Sequence, residues 1–481
     1  MKSELRDGIW TYDIEEAWEG VKAALSEIRE LDTVVAAGVS GMMHGYLAFD
    51  EDWNLLVPFR IWQNSMTERA VGELSPIFNF NLPQRWSSAH LYEAVLRGEE
   101  HLARLAHITT LSGYIHYMLT GEHVLGIGEA SGVFPVDSEG FCYAREMLDK
   151  YNERLRANGF MKNAEDIFPK ILVAGERGGA LTEEGARRIA GLLPVGTPFA
   201  APEGDGGTGM VATNSTAYKA GNVSAGTSIF TMVVLEKPLS RLYREVSMVT
   251  TPDGKPVAMV HGSNCTNDMN VWISLIREAL SLFDKQVSDT ELYTKLYNLS
   301  LEGDCDCDGV MVCNYMLGEV VAGLQQGIPM MLRKPDSKFT LANFMRSQIY
   351  GSMSTLAIGM DIFRREGVEI SRLTGHGGLF KTPGIAQRYL AAACRTDIAC
   401  LETSGEGGPY GMALLVAYMM EKEKYAGLDD FLENRAFRNA KGTTLSPSEE
   451  DVRGFEKYLC EYKKLLEVER RAAEIYYPKS N

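Results

Sequence analysis

The chain has 481 residues, enough for two or three domains with sizeable cores. Charged residues make up 23% and hydrophobic residues 45%, the balance of a soluble globular protein, and the formal net charge of −16 argues against nucleic acid or an anionic membrane surface as partners. Eight cysteines are too sparse for a disulfide framework, and Cys305, Cys307 and Cys313 lack the CxxC pair or nearby His of a metal site. The start, MKSELRDGIWTYD, is polar and carries no signal-type apolar segment. The best apolar run, GMALLVAYMM at 411–420, is half of the roughly 20 residues of a membrane span. The expectation is a cytoplasmic protein with reduced thiols.

In chain order, residues 14–30 predict an amphipathic helix, with Ile14, Trp18, Val21, Leu25 and Ile28 at helical spacing. A buried strand is predicted at Thr33–Val39, ending in SGMMHG, then short strands at Tyr46–Phe49 and Leu55–Ile61 around a turn at Asp50–Asn54. Residues 66–124 and 144–158 read as helical, and Thr197–Ala201 as a strand leading into APEGDGGTGM at 201–210. Two hairpins follow, Gly221–Ser224 with Ile229–Leu235 around SAGTS, and Val246–Thr251 with Pro256–His261 around PDGK. Helices are predicted near 267–284, 288–299 and 339–366. A strand at Ile370–Leu373 runs into TGHGG, a helix covers 383–394, and a strand at Ile398–Leu401 precedes GEGG and a helix at 409–424. Residues 436–450 read as loop and 450–477 as a terminal helix. Strands alternating with helices make the class α/β, divided near 212–220.

Asp205 lies in the glycine-densest of these segments. A sugar hydroxyl is a poor nucleophile at neutral pH, and a carboxylate at hydrogen-bond distance can orient it and take its proton. Gly204, Gly206 and Gly207 permit close approach, and Glu203, two residues away, would face the same side of an extended segment. Taken alone, the segment reads more readily as an Asp-Gly turn closing a strand. The Gly226-Thr227-Ser228 turn offers a backbone N–H and hydroxyls to a phosphate, although by itself it too reads as an ordinary β-turn. TGHGG stands between a strand and a helix, where a nucleotide can lie. Phe380 breaks the dinucleotide fingerprint there, and no P-loop GxxxxGK[ST] occurs. His44 ends a strand. Trp62 and Trp86 offer flat faces, and Gln63, Asn64, Gln84 and Arg85 can bond hydroxyls; the competing reading makes both tryptophans core residues. The order of these segments suggests phosphoryl transfer from ATP to a small polyol or sugar.

Together they resemble the FGGY family of carbohydrate kinases, especially its xylulokinase-like branch, across essentially the whole chain. The resemblance implies two actin-like (ribonuclease-H-like) domains with ATP and sugar in the cleft between them. Residues 1–215 would be the sugar-binding domain, 216–425 the nucleotide-binding domain and 426–481 a helical extension. It implies Asp205 as catalytic base and Met43, His44 and Trp62-Gln63-Asn64 as sugar-pocket positions, with Arg85, Trp86, Glu203 and Gly204 beside them. Gly226, Thr227 and Ser228 match the second phosphate segment, Gly375, Gly377 and Gly378 the adenosine segment, and Gly407 the closing glycine turn. Mg²⁺·ATP is the implied donor, without an assigned set of metal ligands; a homodimer is compatible with the family.

Three departures stand out. The family's Trp-Asn-Asp-Gly-Arg reads Trp62-Gln63-Asn64-Ser65-Met66, so the acidic and arginine sugar contacts are gone. The three-glycine adenosine turn reads Gly375-His376-Gly377-Gly378. The family's first phosphate turn, Asp-x-Gly-Thr-Thr/Ser, has no counterpart before Thr33, which predicts a first domain truncated at its start and an exposed edge on Thr33–Val39. The readings that follow are an active ketose kinase such as a xylulokinase, a catalytically impaired sugar-binding relic, or an actin- or chaperone-type ATPase on the same fold.

Overall fold

A computed structural model describes residues 2–477. Its largest feature is a seven-stranded sheet in the order Val246–Thr250, Pro256–Gly262, Ile229–Val234, Ala220–Ala225, Arg372–His376, Ile398–Leu401, Gly442–Leu445. The first four strands form antiparallel neighbours, the fourth to sixth are mutually parallel, and the last returns antiparallel. Alternation along the strands gives the sheet two apolar faces. Val223, Ile229, Val233 and Val260 pack on Met353, Leu356 and Met360 of the helix Leu341–Arg365. That helix comes close because Gly359 has no side chain; a Cβ there would lie 2.2 Å from Val260 Cγ1. The terminal helix Glu449–Tyr476 adds Phe455, Tyr458 and Tyr462 to the same core, and Ser448 Oγ caps it by accepting from Asp451 N–H at 3.2 Å. The opposite face presents Met232, Val234 and Val257 to Tyr46, Trp86 and Leu125 of the first half.

The first half is built differently. Helices Glu68–Phe78, Ser87–Arg97, Leu111–Thr120 and Arg145–Ala157 surround several two-stranded pieces. Leu47–Phe49 pairs with His107–Thr109, Val124–Gly126 with Lys170–Leu172, and Ser40–Gly41 in parallel with Glu203–Gly204. The predicted helix at 14–30 is Ile14–Ser26, capped by Asp13, with Ala17 and Trp18 buried.

Three expectations are corrected. Thr33–Val39 is not a continuous strand: Ala37 forms a single bridge to Phe199, and pairing becomes a strand only at Ser40–Gly41. Its one neighbour runs along 198–204, so the ladder has nothing to extend into, and Val35 is 71% exposed. Leu55–Ile61 makes only isolated bridges at Leu55 and Arg60; Pro58 between them cannot donate to a ladder. Within 436–450, Gly442–Leu445 is the edge strand of the large sheet, its four residues exposed and thus free of the apolar alternation that marks a strand.

No helix among the described residues is long and apolar enough to cross a membrane. All eight cysteines are free, and no three His, Cys, Asp or Glu side chains cluster as a metal site among those residues.

Candidate functional site

Asp205 is not in a turn. It is the first residue of the helix Asp205–Ala212, directly after the strand Glu203–Gly204. Its carboxylate accepts the Met43 N–H at 3.1 Å, a bond across 162 residues that ties SGMMHG to the helix start. The side chain is open to solvent but walled in by protein. Burial raises its pKa, while the N–H groups of Met43 and Gly206 and the Arg85 guanidinium pull it back. A carboxylate so placed is more basic than an ordinary aspartate.

Two further carboxyls lie beneath it. Glu203 does not face the same side as Asp205; its oxygens accept the N–H groups of Gly128 at 3.2 Å and Glu129 at 2.9 Å. Burial pushes its pKa up to about 8, against those N–H bonds. Glu129 is wholly buried and held well above the carboxylate range by desolvation. One of its oxygens has only the Ser112 hydroxyl, at 3.4 Å, and the other has no partner. Gly204 makes room for it, since a Cβ there would sit 2.2 Å from Glu129 Oε2. Burial thus favours the neutral form of both inner carboxyls, while Asp205, with two N–H groups and the Arg85 charge drawing its pKa back down, is the one of the three most open to solvent. Glu129 was missed in the sequence; its signal is an acidic residue inside the small, apolar run LGIGEASGVF.

On the same side His44 is buried at a left-handed backbone position (φ 70°). Its Nδ1 lies 3.3 Å from the Gly132 carbonyl, and its ring stacks on Trp86 with centroids 6.2 Å apart. Burial, then the Arg85 charge, hold it neutral. Donation from Nδ1 to Gly132 leaves Nε2 as an acceptor. Arg85 is half-buried, and burial lowers its pKa to about 10, still a cation at pH 7. Met43 packs beside Gly204 and Gly206.

Several expected contacts are absorbed into structure. Trp86 is fully buried between His44 and Phe80. Asn64 accepts Trp10 N–H at 2.9 Å and donates to Trp10 O at 2.7 Å and Ile61 O at 2.9 Å, so its amide pins the N-terminal hairpin and is not free for a ligand. Trp62, 45% exposed, and Gln63 remain open at the surface beside it.

The second half brings its glycine segments together. Gly226 N–H donates to Ser228 O at 2.9 Å, closing a turn that leaves Thr227 exposed. Thr266 anchors the turn through its hydroxyl to Gly226 O at 2.8 Å. The strand Arg372–His376 runs further than predicted, so Gly375 lies within it; Phe380 fills the space where a Cβ would be, 2.1 Å away, and Gly375 is closed to a ligand. Gly377 has φ 103° and lies against Ala225, where a Cβ would meet the carbonyl at 2.6 Å. The two turns are thus adjacent. Gly378, Gly405 and Gly407 have open space at their Cα positions. Between the turns, Asn222 Oδ1 and His376 Nε2 are buried without partners on one face of the sheet, as Asn222 is paired with Thr374 and Ser224 with His376. Such orphaned groups fit a polar ligand.

The halves join next to Asp205. Gly206 lies 3.5 Å, measured from its Cβ position, from Met232 on the strand leaving the Gly226–Ser228 turn. The helix Gly407–Glu421 packs on the Asp205 helix at Gly411, where a Cβ would be 1.9 Å from Thr208 O. Ser40 and Thr208 hydroxyls meet at 2.9 Å in the same seam. Asp205 thus lies where the strand leaving the Gly226–Ser228 turn and the helix that follows Gly405 meet the first half, an arrangement suited to a polyhydroxy acceptor on one side and a phosphate-bearing donor on the other.

Residues 221–420 match the FGGY family of carbohydrate kinases, C-terminal domain. The chain is 22% identical over 381 residues to the xylulose kinase of Haemophilus influenzae, covering 77% of this chain and 72% of that relative. In fold it is similar to a xyloylose kinase from Brucella ovis, with TM-score 0.77, 17% identity and coverage of 97% of this chain and 93% of that one. It is equally similar to the gluconate kinase from Lactobacillus acidophilus, with TM-score 0.78, 14% identity and coverage of 99% and 92%.

Proposed function

From a chain that carries the C-terminal domain of the FGGY family of carbohydrate kinases, in the actin-like two-domain fold of those enzymes, we propose an ATP-dependent kinase for a small polyhydroxy substrate. The observation that carries the reading is the Met43–Asp205 bond, which sets a carboxylate of raised basicity where the two halves meet and beside the strand that leaves the Gly226–Ser228 turn. Residues 2–215 form the acceptor side and 216–425 the donor side, with 426–477 completing the sheet edge and the core behind it.

Asp205 takes the proton of the acceptor hydroxyl as its oxygen bonds to the γ-phosphorus, and the bond from that phosphorus to the β–γ bridging oxygen breaks to release ADP. His44 Nε2 accepts from a second hydroxyl, and Met43, Trp62 and Gln63 bound the pocket. Gly226, Thr227, Ser228, Gly377, Gly378 and Gly407 face the nucleotide, with Mg²⁺ entering as part of the Mg²⁺·ATP substrate. Closure of the halves excludes water as a competing acceptor. The relatives are named for a ketose and an aldonate, so the fold leaves the acceptor open; xylulose is the first ketose to test, although this chain lacks the acid and arginine that the family's Trp-Asn-Asp-Gly-Arg supplies.

The test is ADP release with Mg²⁺·ATP across ketoses, polyols and sugar acids. Release that depends on one acceptor supports the kinase; release independent of every acceptor would show an ATPase.

A further inference from the structure

The halves also meet away from the helix Gly407–Glu421. The edge strand Val246–Thr250 of the large sheet is fastened to the first half at both ends. At its start the Asn81 amide donates to Val246 O at 2.8 Å and to Arg244 O at 3.2 Å. At its end the Thr250 hydroxyl donates to Ile127 O at 3.1 Å, and the Thr250 N–H donates to the Ser131 hydroxyl, also at 3.1 Å. Just beyond, Pro252 O accepts the Ala174 N–H at 2.8 Å. A cavity of about 310 Å³ is lined by Asn81 and Val246 from one fastening and by Ser131 and Thr250 from the other. Packing is interrupted along this stretch, so directional bonds fix the strand against the first half.

The Thr250 fastening reaches both groups of the acceptor side. Ile127–Ala130 is a short helix whose Gly128 and Glu129 N–H groups donate to Glu203, two residues before Asp205. Gly132, directly after Ser131, takes the Nδ1 of His44 on its carbonyl. Pro252 lies 3.2 Å from the Cβ position of Gly207, inside the helix that Asp205 begins. Ser131, Glu203 and Thr250 are between 1% and 4% exposed, so water does not compete for these bonds. On the other side, Val246–Thr250 pairs with Pro256–Gly262, which pairs with Ile229–Val234, the strand that leaves the Gly226–Ser228 turn. Hydrogen bonds and paired backbone thus run without a break from Asp205 and His44 to the glycine turn of the other half.

We propose that Thr250 and Ser131 are positioning residues. They hold the segment 127–132, and through it Asp205 and His44, in register with the Gly226–Ser228 turn across the two halves. Their effect on turnover rests on the kinase reading; their effect on the backbone around Asp205 does not.

The experiment measures amide exchange and ADP release for the unaltered chain, Thr250→Val, Thr250→Ser and Ser131→Ala, with thermal unfolding checked for each. Valine keeps the shape of threonine and loses the hydroxyl, whereas serine keeps the hydroxyl. In Thr250→Val and Ser131→Ala, exchange should quicken several-fold at 127–132 and 203–207 and stay unchanged in the helix Leu341–Arg365. Turnover with Mg²⁺·ATP and the working acceptor should fall about five- to tenfold, with the acceptor KM within about twofold of the unaltered value. Thr250→Ser should match the unaltered chain in exchange and in turnover. Ser131→Ala carries the test if Thr250→Val fails to fold. Faster exchange spread evenly over both halves would make Thr250 an ordinary stabilising residue and overturn the proposal. So would unchanged turnover in a variant whose 203–207 exchange has quickened. No ADP release by the unaltered chain with any acceptor would sink the kinase reading alone, and exchange at 203–207 unchanged in both variants would sink this proposal alone.

Discussion

The second half places its glycine turns at the ends of a continuous seven-stranded sheet, while the first half positions Asp205, Met43 and His44 with two-residue and three-residue strands. A ladder spreads the stability of a turn over many backbone bonds. The first half relies instead on single buried side chains. Asn64 holds the hairpin, Glu203 holds the start of the helix Ile127–Ala130, and Trp86 supports His44. The lesson is that the second half should tolerate point changes that the first does not, except where it too depends on a single buried group.

The buried ion pair in the second half is such a group and should give the largest stability effect. Arg346 and Arg388 both bond Asp451, at 2.8 and 2.7 Å, and the Arg346–Asp451 contact is almost fully buried. Asp451→Ala strands Arg346 and should cost about 3–5 kcal/mol in denaturant unfolding; a loss under 1 kcal/mol would show that water or Tyr350 replaces the carboxylate.

Next comes the seam between the halves. Gly411→Ala should push the helix Gly407–Glu421 off Thr208, lose about 1–3 kcal/mol and lower turnover by misplacing Asp205. Full activity in a stable Gly411→Ala variant would separate the seam from catalysis. Asn64→Ala should cost about 1–2 kcal/mol, with faster amide exchange confined to residues 4–11. Exchange spreading into the large sheet would erase the distinction between the halves.

The smallest effect is in pH. Burial pulls His44, His90, His107, His116 and His123 of the first half below the usual histidine range, His90 to about 3 and His116 and His123 to about 4. Unfolded, they would take protons near pH 6.5, so acidification below that favours unfolding. Glu129 and Glu203, raised by burial, offset only part of this. In the second half Glu319 and Glu469 are raised to about 7 by burial, so their contribution is complete below about pH 4.5 and lost as pH rises through 7. They balance His261 and His376. Between pH 7 and 5, amide protection should fall in the first half and hold in the second; a uniform fall would contradict this.

The contrast also explains what was legible in the sequence. Hairpins 220–234 and 246–262 follow from β-branched alternation and a PDGK turn, and the long helices from apolar spacing, because those patterns are local. The Asp205 segment was legible as a site because glycines cluster around an acid, but its helical start was hidden by those same glycines, which are poor helix formers. The first half's contacts are non-local. Nothing near Asn64 shows that Trp10 will take its amide, and nothing near Glu129 shows that Gly204 leaves room for its carboxyl. Thr33–Val39 has strand composition but only a single bridge, from Ala37 to Phe199, so propensity alone misreads it.

The most direct test of the central claim is ADP release by Asp205→Asn beside the unaltered chain, with saturating Mg²⁺·ATP and whichever acceptor supports turnover. Asparagine keeps the size and can still accept from Met43 N–H, but it cannot take the acceptor's proton. The account predicts a folded protein that binds the acceptor and turns over about 10²–10⁴-fold more slowly. Turnover within a few-fold of the unaltered chain would contradict it.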